Sequence, residues 1–145
     1  LMSALSVYGS AELVGMLRAL GVEAVQAAAA TRTDGDLDAM RAALAGPHAG
    51  VCARFHSAIA QASGNRLVID LDASLTAALD AYGLAETIAA RLSPEVLAEQ
   101  HARILTALEE RDVAGAAHAM AVHLDEELRS LHHSPIATDL TTLSR

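Results

Sequence analysis

The sequence predicts an all-α protein, an antiparallel bundle of six or seven helices. Three observations carry this. Alanine and leucine dominate a chain that is 52% hydrophobic, with one Phe, two Tyr and no Trp, a composition that packs helices closely and builds poor strands. Apolar residues recur at intervals of three and four along most of the chain. Gly, Pro and capping residues are sparse and fall where those periodic runs end. At 145 residues the chain suits one domain with a sizeable core, spanning 1–145.

Each element follows from its local pattern. Ser10 can cap a first helix through Leu13, Leu17, Leu20, Ala24 and Ala28, fading near Thr31. A second starts at Thr33 or Asp34, with Asp36 favourable in its first turn and Leu37, Met40 and Leu44 on one face; Gly46 and Pro47 stop it. The third carries Val51, Phe55, Ile59 and Ala62, then meets Gly64. Asn65 opens a fourth, with Leu67, Leu71, Leu75, Ala78, Leu79 and Tyr82 as its stripe, broken at Gly83. A short helix over 84–91 follows. Ser93 and Pro94 form a strong start signal for a helix to about Glu110, with Leu97, His101, Ile104 and Leu108 on one face. Asp112 caps a last long helix through Val113, Ala117, Met120, Leu124 and Leu131, and the tail after Ser134 reads as irregular.

Composition also narrows function. The formal charge of −8 and the lack of any Lys or Arg cluster leave no footprint for phosphate neutralisation, so this chain alone is not expected to bind DNA. One cysteine rules out an internal disulfide framework, and with no signal peptide visible a reducing cytoplasm is the expected compartment. The apolar runs read as too short and too interrupted by charge to span a bilayer.

Four residues call for a joint reading. Cys52 and His56 lie one turn apart; His101 sits in the stripe of the Ser93 helix; His123 lies beside Met120 and Leu124. Singly, each histidine is an ordinary core residue. Burying three imidazoles with no shared purpose costs desolvation at each, and a common metal satisfies all three. Neutral imidazoles suit Zn, Ni, Fe or Cu, and a thiolate tilts the choice toward Zn. Cys52 can be the thiolate ligand or a small buried thiol filling space. His48, His118, His132 and His133 read as solvated. In "HLDEELR" the acidic run reads as a solvated helix face, although Glu127 lies four residues after His123. Glu-x-x-His, His-Glu-x-x-His, a Gly-rich phosphate loop and a nucleophile elbow are all absent from the sequence.

The strings "FHSAIAQASGN" and "EQHARILTALEERDVAGAAHAMAVHL", with the earlier "GVEAVQAAAATRTDGDLDAM", resemble the FCD domain, the C-terminal effector-binding domain of the FadR subgroup of GntR-type bacterial transcription regulators. This resemblance implies a helical bundle around a pocket and a winged helix-turn-helix DNA-binding domain preceding it, outside this chain, which agrees with a start at Leu1. It implies a homodimer, and a divalent metal held by one Asp and three His beside a small organic acid. His56, His101 and His123 match the three histidines, and the Asp position falls on Cys52. An effector-binding Arg of the family falls on Leu17 or Arg18 according to register, and a Glu position on Gly21. Arg18 is therefore a candidate anion contact. Asn65 matches the family's Gly-Asn pattern and can face the pocket or simply cap a helix. Two other function classes stay open on the residues alone: a metal-dependent enzyme, for which Glu127 or Glu99 would have to serve as base, and a purely structural dimerisation module.

Overall fold

A computed structural model describes residues 7–132. Seven helices occupy them: α1 (Ser10–Thr31), α2 (Asp34–Ala45), α3 (Val51–Ala62), α4 (Arg66–Ala81), α5 (Leu84–Arg91), α6 (Pro94–Glu109) and α7 (Val113–His132). The connections run from two residues (32–33) to five (46–50), and links this short favour a bundle whose neighbours turn back on one another. The irregular tail expected after Ser134, and the side chains of His132 and His133, lie outside the described residues.

Capping explains most of the boundaries. Thr33 Oγ1 accepts from the Asp36 N–H at 3.1 Å and the Asp36 carboxylate accepts from the Thr33 N–H at 2.8 Å, a reciprocal box that starts α2. Ser93 Oγ accepts from the Val96 N–H at 3.2 Å, with Pro94 at the first helical position of α6. Asp112 Oδ1 accepts from the Gly115 N–H at 2.9 Å and starts α7. Helix α1 differs slightly from expectation: Gly9 is its N-cap, and its N–H donates to the Glu12 carboxylate at 2.8 Å. Gly64, at φ 66, ends the turn after α3, a left-handed conformation that costs glycine little.

Helix α1 runs through the centre, packing most extensively on α7 and also on α3, α4 and α6. Ala24, Val25, Ala28 and Ala29 are buried along it. At Gly21 an added methyl would stand 2.7 Å from Leu124 Cδ1, so the missing side chain is what lets α1 and α7 approach so closely. By length and composition alone, Ala11–Thr31 is apolar enough to cross a membrane, which corrects the sequence-based expectation that no run is. Its small residues serve instead as the packing surface of the bundle.

Two arginines tie the far end together by exchange. Arg32, just past α1, donates to the carbonyls of Leu108 (3.0 Å) and Glu109 (2.6 Å) at the end of α6. Arg111, just past α6, donates to the carbonyls of Ala30 (3.3 Å) and Arg32 (2.9 Å). Each satisfies carbonyls that the other helix leaves open at its C-terminus.

The expected stripes of two helices hold over most of their length, with Leu75, Ala78 and Leu79 buried on α4 and Met120, Leu124 and Leu131 on α7, but the buried position differs by one residue near each start. On α4, Leu67 is 65% exposed while Val68, Asp72, Leu75 and Leu79 are buried. On α7, Ala116 is fully buried rather than Ala117. In both, packing against neighbours selects the face, and a step of one residue turns a helix by about 100°.

Candidate metal centre

Three helices bring the predicted ligands to one place. Helix α3 presents Cys52 and His56 one turn apart, α6 presents His101, and α7 presents His123. His101 and His123 are buried, at 1% and 0% exposure, while Cys52 and His56 are partly exposed. Phe55 backs the site, its ring centroid 4.9 Å from that of His101, and the His101 and His123 rings meet edge-on at 4.8 Å.

The donor atoms converge on His123. Its Nε2 lies 3.1 Å from His56 Nε2, and Cys52 Sγ lies 3.7 Å from His101 Nε2. Cys52, His101 and His123 each offer a ligand atom within 4.8 Å of the others, and so do His56, His123 and Glu127. The expectation that the acidic run of α7 faces solvent is corrected at Glu127, which is 4% exposed with Oε1 3.2 Å from His123 Nε2. Met120, Leu124, Glu127 and Leu131 follow one another at four, three and four, so Glu127 occupies the buried stripe of α7. That spacing is the signal in the sequence that could have found it; two more acids beside it in "DEE" hide it.

Hydrogen bonding fixes the chemistry of this group. His123 Nδ1 lies 2.8 Å from Gln100 Oε1, an oxygen that can only accept, so Nδ1 carries the proton and Nε2 turns a lone pair inward. Glu127 Oε1 then faces a lone pair rather than a donor, and it has no hydrogen-bond partner. Two acceptors held 3.2 Å apart in a buried site require a positive charge between them. A second proton on His123 or a divalent cation supplies it. The donor set of imidazoles, one carboxylate and one thiol fits a cation such as zinc.

Burial shapes the titration of each group. It pushes the Cys52 thiol up, helped by the nearby Glu127 charge, so the metal-free protein carries a thiol there. Burial also pulls His56 down to about 4, and His101 to about 3 with the help of His123 and His56.

Acid lability follows. An unfolded histidine titrates at 6.5, so between pH 6.5 and about 4 the unfolded chain binds protons that folded His56 and His101 exclude. Stability of the metal-free protein should fall across that window by about 1.4 kcal/mol per pH unit for each imidazole. Thermal unfolding recorded from pH 8 to pH 5 checks this; a flat midpoint would contradict it.

A cavity of about 300 Å³ opens beside the cluster, with Cys52, His56 and Glu127 at its inner end and Leu17, Leu79, Ile88 and Leu97 among its walls. The structure does not bring the other two candidates there. Arg18 grips Asp125 through two contacts, Nε to Oδ1 at 2.6 Å and Nη2 to Oδ2 at 3.3 Å, with both side chains substantially exposed. One residue earlier, Leu17 takes the cavity-facing place. Asn65 is exposed, and its Oδ1 accepts from the N–H groups of Leu67 (3.0 Å) and Val68 (3.4 Å), a helix cap that needs no ligand.

A family model for the FCD domain matches residues 12–126. The chain belongs to the FCD domain family. FCD domains are regulatory, effector-binding domains of GntR-family regulators, and the seven-helix fold found here is that of an FCD bundle. Comparison with curated proteins gives no match. Of the cluster, Cys52, His56 and Glu127 line the cavity, while His101 and His123 are buried.

Proposed function

We propose that residues 1–145 form the effector-binding and dimerisation domain of a FadR-type regulator, sensing a small organic acid beside a divalent metal. His56, His101 and His123 are the neutral ligands; Glu127 and Cys52 are the candidate anionic ones. Zinc suits the set best, with nickel or iron as alternatives. DNA is contacted only through a winged helix-turn-helix domain outside this chain, two copies pair about a two-fold axis that matches a palindromic operator, and the protein works in the cytoplasm. The observation that carries this reading is the inward lone pair of His123 set against the orphaned Glu127 oxygen at the end of a cavity.

A divalent cation held by three neutral ligands and one anion keeps a net positive charge, to which an incoming carboxylate is attracted in a low-dielectric site. The chain's own residues do the rest. Gln100 holds the His123 ring in the ligating tautomer, Phe55 fixes His101, and the apolar walls exclude water. Ligand at the inner end touches α3 and α7 at once, so it favours one spacing of these helices over another, which is what a population shift between two arrangements of the DNA-binding domains requires.

Calorimetry tests the reading. A panel of small carboxylates should bind the zinc-loaded domain and lose at least tenfold in affinity after treatment with a chelator, with zinc restoring it; unchanged affinity without metal contradicts it. A metal-dependent hydrolase is the second reading, favoured by the buried Glu127 carboxylate beside the histidines, and turnover of small esters by the zinc-loaded domain would establish it.

A further inference from the structure

We infer that the effector is a monocarboxylate with a compact apolar body, and that acids with a second carboxylate are rejected. This rests on the metal-assisted reading above and names the ligand class of that same cavity.

Charge limits what the cavity can hold. All ten basic residues of the sequence are arginines; there is no lysine. None of the described arginines lines the cavity. Arg18, next to the wall residue Leu17, is committed to Asp125. Arg54, on the same helix as Cys52 and His56, turns away to donate to the carbonyls of Ala43, Pro47 and Ala49. Among the described residues, the polar side chains lining the cavity outside the cluster are His48, Thr76, Asp80 and Glu86, so the favourable place for an anion is beside the cluster. Along the rest of the cavity a carboxylate meets apolar wall from Leu79, Ile88 and Leu97, then the exposed acids Asp80 and Glu86 at the rim. A second carboxylate would be stripped of water with no arginine to meet it, and would approach like charges as it tried to regain solvent. An alkyl or aryl body loses nothing by the same burial. At about 300 Å³ the cavity lies at the small end of ligand pockets, which limits that body to a few carbons or one ring.

The test uses the zinc-loaded domain, with zinc content measured first, and calorimetric titrations of hexanoate and benzoate against succinate and citrate. Hexanoate or benzoate should bind at least about tenfold tighter than either polyacid. Leu17→Arg should raise succinate affinity by about tenfold or more, the effect of one charge-assisted hydrogen bond. Ala89→Arg places the same charge from α5 and covers the case in which the α1 variant fails to fold. Succinate or citrate binding as tightly as the monoacids overturns the inference, as does zinc-loaded protein that binds none of the four. A domain that takes up no zinc overturns the reading beneath it instead.

Discussion

Zinc titrated into the His123→Ala domain should bind more than about 100-fold more weakly than to the unaltered protein. The estimate is a lower bound, because losing a residue that merely orients a ligand already costs about 10–100-fold. His123 is fully buried and its Nε2 lies within reach of both His56 and Glu127, so its removal disconnects the two halves of the cluster. The alanine also leaves a cavity, and the fold should lose about 2–4 kcal/mol as large-to-small core changes do. Folding and binding are separated by Gln100→Leu, which keeps the imidazole but removes the acceptor for its Nδ1–H. That variant should remain folded and weaken zinc by about 10–100-fold. If it binds zinc as tightly as the unaltered domain, Gln100 does not set the tautomer and the lone-pair argument fails.

Glu127→Gln should move stability and metal affinity in opposite directions. In the metal-free protein the Glu127 oxygen faces the His123 lone pair with no donor between them. A glutamine amide can donate to that lone pair, so the metal-free variant should gain about 1–2 kcal/mol near pH 8, the relief of one buried unsatisfied acceptor. Zinc affinity should fall by about 100-fold or more as an anionic ligand is lost, on the scale set for a ligating residue above. Thermal unfolding with and without zinc reads both. A structural ion pair between Glu127 and a protonated His123 predicts the reverse for the metal-free protein, since removing one partner of a buried pair destabilises. A metal-free variant less stable than its parent would therefore contradict the ligand role.

What the sequence disclosed depended on how local each signal is. The starts at Thr33, Asn65, Ser93 and Asp112 were legible because a cap is a contact between residues two or three apart. The gathering of Cys52, His56, His101 and His123 was legible because three imidazoles on apolar faces have few other reasons to be there. Glu127 was missed although its spacing from His123 was visible, since an acid among acids is ordinarily solvated. Choices that turn on a single residue of helical phase were not legible. Leu17 faces the cavity and Arg18 faces Asp125, and Val68 is buried where Leu67 is exposed. Neighbours on a helix point about 100° apart, and only the packing partners, distant in the chain, decide which one turns inward.

We propose that His56, His101, His123 and the buried Glu127 carboxylate together hold one metal ion beside the cavity. Diffraction from zinc-grown crystals, with anomalous scattering recorded on both sides of the zinc edge, decides this. One peak per chain is expected, about 2.0–2.1 Å from the Nε2 atoms of His56, His101 and His123, with a Glu127 oxygen at about 2.0–2.2 Å. A Cys52 sulfur at about 2.3 Å would add the thiolate to the set. No peak at full zinc loading, or a peak on residues other than these, would contradict it.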